Sequence, residues 1–130
     1  MRINISSVMV DDQEKALKFY TEKLGFVKKT DMPINEYRWL TVASPDGPDG
    51  VELVLEPTAF PPSREYQRAL FTAGIPLTAF ITDDIQGEYK RLKAKGVNFR
   101  SAPQTIMGAV TSVMFEDTCG NLINLVQPTN

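Results

Sequence analysis

Histidine is missing altogether from this chain of 130 residues. Imidazole is the most frequent general base near neutral pH and the commonest nitrogen ligand for transition metals. Its absence rules out Ser-His and Cys-His nucleophile pairs, and every zinc or iron site that needs a His ligand. Cysteine is almost as scarce. Cys119 stands alone, so no internal disulfide can form and a reducing compartment is expected. With no imidazole to activate it, Cys119 in the turn-like run Asp117-Thr118-Cys119-Gly120 reads as a bystander in a loop. Long apolar runs are also lacking, none approaching the roughly 18 residues of a membrane span. The chain opens directly into Arg2-Ile3-Asn4-Ile5, without the basic-then-apolar pattern of a signal peptide. A cytoplasmic protein that does not enter a membrane is expected. Charge of one sign is missing too, the formal net charge being -2. That leaves no positive footprint for nucleic acid. The one basic cluster, Lys90, Arg91, Lys93 and Lys95, has the spacing of a solvated helix face.

What is present is ordinary globular composition, 42% hydrophobic and 23% charged, in a chain of single-domain size. A chain of this length buries roughly two-thirds of its unfolded surface and needs no disulfide or metal to fold.

The sequence also contains itself twice. The run Val8-Met9-Val10-Asp11-Asp12 is followed by apolar positions at Ala16, Leu17, Tyr20 and Leu24, then Gly25. Later, Phe80-Ile81-Thr82-Asp83-Asp84 is followed by Ile85, Tyr89 and Leu92, then Gly96. Each half reads as a strand, an acidic N-cap, a helix and a glycine C-cap. Asp11 and Glu14 have the spacing of a capping box. Each half then offers β-rich runs around a Gly- and Asp-rich turn. These are Tyr37 to Val42 and Val51 to Leu55 in the first half, and Ala109 to Phe115 and Leu122 to Val126 in the second. The endings correspond, Glu52-Leu53-Val54 with Asn124-Leu125-Val126, each running on to Pro57 or Pro128. The pattern predicts an α+β protein of two tandem βαβββ modules, 1–57 and 75–130. The linker, 58–74, carries a helix-like stretch from Ser63 to Phe71. Two such units form a curved mixed sheet with helices on the outer face and a concave pocket inside.

Three motifs in order carry a family resemblance. They are Val10-Asp11-Asp12 leading to Phe19-Tyr20 and Leu24-Gly25-Phe26, then Ile81-Thr82-Asp83-Asp84 leading to Gly96-Val97, then Asp117-Thr118-Cys119-Gly120-Asn121-Leu122-Ile123. Together the chain resembles the vicinal oxygen chelate superfamily of glyoxalases, bleomycin-resistance proteins and extradiol dioxygenases. The resemblance implies that superfamily's fold and a homodimer. Its enzymes hold a divalent metal with His and Glu from four strands, and carrying those positions over puts them at Ile5, Glu52, Leu77 and Asn124. One carboxylate and one amide remain, so neither a metal nor another cofactor is expected.

Placing those positions inward lets strand alternation assign the rest of the pocket. Ile5, Ser7 and Met9 face in with Glu52, Val54 and Glu56, as do Leu77, Ala79 and Ile81 with Leu122, Asn124 and Val126. Trp39, Tyr37, Met107 and Met114 are candidate walls whose faces the sequence leaves open. The expected ligand-binding set is Ile5, Ser7, Met9, Trp39, Glu52, Val54, Leu77, Ile81 and Asn124. The reading is a metal-independent binding module that sequesters or senses a small molecule, like the bleomycin-resistance branch. The alternative is a metal-independent lyase or isomerase with Glu52 as catalytic base.

Overall fold

The computed structural model describes residues 1–129; Asn130, the last residue of the expected second module, lies outside them. The chain divides into two compact units, Met1–Tyr66 and a second beginning at Gln67. Each carries one four-stranded mixed sheet.

In the first unit, β1 (Ile5–Val10) leads into α1 (Gln13–Lys18), and one wider π-helical turn, Phe19–Lys23, continues it. Strands β2 (Val27–Ile34), β3 (Tyr37–Ala43) and β4 (Glu52–Pro57) follow. The spatial order is β1-β4-β3-β2, with β1 parallel to β4 and the other pairs antiparallel. The N-cap of α1 is Asp12, whose carboxylate accepts from the Lys15 amide at 3.0 Å. The capping box expected at Asp11 and Glu14 is therefore not formed. Glu14 instead meets Arg38 of β3 at 2.9 Å, a cationic partner stronger than a backbone amide. The helix stops at Gly25, whose φ of 85° is open to glycine at little cost.

Alternation sorts the first sheet into two faces. Val8, Val10, Leu40, Val42 and Leu55 are buried beneath α1, with Ala16, Phe19 and Tyr20 contributed by the helix. One polar residue joins this core. Gln13 is buried, and its amide donates to the carbonyls of Arg38 (2.7 Å) and Leu55 (2.9 Å) while accepting from the Arg38 amide (3.0 Å). A buried amide is tolerable only when its donors and acceptor are satisfied in this way.

The expected linker is largely a helix, α2 (Pro61–Ala73). It opens on two prolines, where missing N–H groups cost nothing, and closes at Gly74 with Ile75 N–H on the Leu70 carbonyl at 2.9 Å. The second unit continues with β5 (Thr78–Ile81), α3 (Ile85–Ala94), β6 (Gln104–Ile106), β7 (Val110–Glu116) and β8 (Leu122–Pro128), in the order β5-β8-β7-β6. Strand β5 is parallel to β8, repeating the first unit's topology. Asp84 caps α3 by accepting from the Gly87 amide at 3.0 Å. Lys90, Arg91 and Lys93 are exposed on α3 and Lys95 at its C-cap, as expected; Arg91 pairs with Glu88, and the Lys93 ammonium lies 5.4 Å from the centre of the Tyr89 ring.

The turn between β7 and β8 is a buried polar knot. Asp117, fully buried, accepts from the amides of Cys119 (2.8 Å) and Asn121 (3.0 Å) and from the Asn121 side chain (2.7 Å). Gln67 of α2 donates to the Cys119 carbonyl and to Asn121 Oδ1, both at 3.1 Å. Cys119 is part of this packing, with no exposed surface. No helix among the described residues is long and apolar enough to cross a membrane.

Candidate functional site

Residues paired across a sheet point to the same side, so the strand registers decide which expected site residues share a face. In the first sheet Ile5 pairs with Glu52, Ser7 with Val54 and Met9 with Glu56. Thr41 pairs with Val54, Trp39 with Met32 and Thr30 with Thr41. Ile5, Ser7, Met9, Trp39, Glu52 and Val54 therefore all lie on the face away from α1. Tyr37, left open by the sequence, joins them by alternation. The face is uneven: Ile5 is 51% exposed, whereas Thr41 and Val54 in its middle are buried.

In the second sheet Ala79 pairs with Asn124 and Ile81 with Val126, and Met114 stands opposite Asn124 from the other side. Leu77 lies against Leu122, its N–H on the Leu122 carbonyl at 2.9 Å. Ile81, Asn124 and Met114 thus share one face, the one opposite to buried Val113, Phe115, Ile123 and Leu125, while Leu77 stands in a bend just before β5, where alternation does not fix its side. Ile81 is 72% exposed. Met107 sits in the β6–β7 turn at a φ of 52°, fully exposed, and belongs to neither face.

Two carboxylates mark the α1-free face of the first sheet. Glu52 Oε1 accepts from the Thr41 hydroxyl at 2.6 Å, and Glu56 Oε1 accepts from the Ser7 hydroxyl at 3.1 Å. Among the described residues with a register partner in this sheet, no Lys or Arg falls on this face; Lys29, in the β2 bulge, has no such partner. Arg38 alternates to the other side, where it grips Asp31 with two nitrogens (3.0 and 2.8 Å) as well as Glu14. That bidentate contact lowers the Asp31 carboxyl and raises the Arg38 guanidinium from their ordinary pKa values. Thr41 was not a sequence candidate. A buried threonine inside a β-rich run looks like strand filler, and nothing in its neighbours announces the hydroxyl's partner.

The donor set does not fit the divalent metal that the resemblance implies. Ile5 and Leu77 offer only hydrocarbon, leaving Glu52 and the neutral Asn124 amide. Among the described residues no three or more His, Cys, Asp or Glu side chains gather as a cation site. A groove of about 490 Å³ lies elsewhere, at the C-terminal end of α3, between Tyr89, Lys93, Val97, Phe99 and Ser101. None of the expected site residues lines it.

Comparison with known proteins gives the context for this arrangement. Residues 2–125 match the family model of the Glyoxalase/Bleomycin resistance protein/Dioxygenase superfamily. The chain is similar to the uncharacterized protein YurT of Bacillus subtilis, 55% identical over 127 residues that cover 98% of this chain and 99% of that one. Among solved structures it is similar to UcmS2, 32% identical with a TM-score of 0.82 over 97% of each chain. It is also similar to TnmS3, an antibiotic binding protein from Streptomyces sp. CB03234, at 33% identity. There the TM-score is 0.76, with 99% of this chain and 97% of that one covered.

Proposed function

Because this chain belongs to the glyoxalase/bleomycin resistance protein/dioxygenase superfamily, we propose that it binds a small organic molecule without metal, to sequester or sense it. The binding surface is the side of the sheets that faces away from α1 in the first unit and from α3 in the second, and the protein acts as a cytoplasmic homodimer. One observation carries the reading. At two of the four positions where the resemblance puts metal ligands, Ile5 and Leu77, this chain presents hydrocarbon, and Trp39, Met9 and Val54 share a face with two hydroxyl-bound carboxylates, Glu52 and Glu56. Such a surface lacks the Lewis acid that stabilises an enolate or oxyanion. It keeps the apolar contribution to binding, roughly 25 cal/mol per Å² of ligand surface covered. The similarity to an antibiotic binding protein supports a drug-sized amphipathic ligand.

The test is a melting-temperature screen against antibiotics and metabolites, with and without EDTA. A native-state ligand at ~100 times its Kd stabilises by about 2.7 kcal/mol, a shift of several degrees. The expected result is a shift that EDTA leaves intact and that Leu77→Glu abolishes by placing an unpaired charge in the site. A ligand lost on chelation overturns the reading.

A second reading has Glu52 as the base of a metal-independent lyase or isomerase. Its support is the half-buried Glu52 carboxylate, which has one oxygen fixed by Thr41 and the other without a hydrogen-bond partner among the described residues. EDTA-insensitive turnover of a methylglyoxal–glutathione adduct that disappears in Glu52→Gln selects this reading over the first.

A further inference from the structure

Thr41 has no exposed surface, yet its hydroxyl is one of the best-connected polar groups in the first unit. It donates to Glu52 Oε1 at 2.6 Å and accepts from the Thr30 amide at 3.1 Å. A hydroxyl owns one hydrogen. With an N–H aimed at its oxygen, that hydrogen is committed to the carboxylate. The Thr30 amide can reach it because β2 is bulged. Lys28 pairs with Val42 and Thr30 with Thr41, so Lys29 is left without a partner. An extra residue of this kind re-aims the backbone groups beside it. Three strands therefore contribute to one fixed group: β2 the N–H, β3 the hydroxyl, β4 the carboxylate. Glu56 differs, because its hydroxyl partner Ser7 is exposed to solvent.

We propose that Thr41 is the positioning residue for Glu52. It fixes Oε1 and leaves Oε2 as the oxygen offered to an N–H or O–H donor on the ligand. The part of this concerning the ligand rests on the binding function above; the positioning does not.

The experiment reads the two parts separately. In isotope-labelled, ligand-free protein, NMR should find the Thr41 hydroxyl proton protected from exchange with water. Thr41→Val should speed exchange of the Thr30 amide about tenfold, as loss of one hydrogen bond implies, and should move the Glu52 carboxyl carbon resonance. Thr41→Ser should restore both. Glu52→Gln should leave the Thr30 amide protected, since the hydroxyl oxygen still accepts from it. A rapidly exchanging hydroxyl proton in the unmodified protein overturns the positioning role, and this needs no variant to fold. So does a Glu52 resonance unmoved by Thr41→Val, or one that Thr41→Ser fails to restore. For any ligand from the melting screen, Thr41→Val should weaken binding by the same factor as Glu52→Gln. If Thr41→Val leaves binding unchanged while Glu52→Gln weakens it, the positioning role fails and the binding function survives. A screen without any ligand sinks the binding function and leaves the NMR result standing.

Discussion

Replacing Gln13 by leucine should destabilise the protein by about 3 kcal/mol, on the basis of roughly 1 kcal/mol net per lost hydrogen bond. The three bonds run from the Gln13 amide to the backbone of Arg38 and Leu55. Their position explains why they matter. Strands β3 and β4 pair only at Thr41–Val54 and Val42–Leu53. Beyond those rungs Arg38 and Leu55 have no mutual ladder bond, and the Gln13 amide bridges them instead. Leucine fills nearly the same volume, so a cavity adds little; what remains is an orphaned Arg38 N–H and two weakened carbonyls. Urea unfolding gives the measurement. With an m-value of ~1.5 kcal/mol/M, typical of small proteins, the midpoint should fall by about 2 M with m unchanged. A shift below ~0.3 M would refute the idea that the glutamine substitutes for missing rungs.

Acid should act through Asp31. Arg38 holds its pKa below the ordinary value, so its ionised form contributes stability above about pH 4 that is lost as pH falls through the lowered value. Arg38→Met should therefore flatten the loss of stability between pH 4 and 2, and an unchanged acid limb in urea midpoints would count against the pair. Elemental analysis after incubation with nickel, zinc, manganese or iron should find less than one metal per chain; a tight stoichiometric metal released by Glu52→Ala would reverse the metal-free reading. Light scattering at tens of micromolar should report a dimer, the commonest closed assembly, and monomer alone would remove the homodimer from the proposal.

The duplicated helices were legible because their signals are local. Asp12 and Asp84 precede the apolar periodicity, and Gly25 and Gly96 end it. The edge strands were not. β2 reads Val27-Lys28-Lys29-Thr30-Asp31-Met32-Pro33-Ile34, and charge and proline there are what an edge strand uses to discourage further pairing. They erase the alternation that announces a strand. β6 is only three residues long. The candidate face was half legible. Alternation places Ile5, Ser7, Met9, Glu52 and Val54 together once one position is anchored by the resemblance. Thr41 stayed invisible because its role depends on a bulge in another strand. Gln13 and Gln67 stayed invisible because glutamine on a helix normally faces water, and only tertiary structure shows which carbonyls it meets.

The duplication in sequence does not duplicate the site, and the strand registers say why. The correspondence of Glu52-Leu53-Val54 with Asn124-Leu125-Val126 makes Leu77 the counterpart of Ile5. Yet Ile5 stands opposite Glu52, while the residue opposite Asn124 is Ala79. The two parallel pairings differ by two residues, one full alternation. An even difference keeps each paired side chain on its face while its neighbours change. Asn124 is left between Ala79 and Met114, which offer it no hydroxyl. Glu52 has Thr41 and, through it, the Thr30 amide. A carboxylate held by a buried hydroxyl therefore stands on the first sheet at Glu52, and its sequence counterpart in the repeat, Asn124, has no such partner beside it.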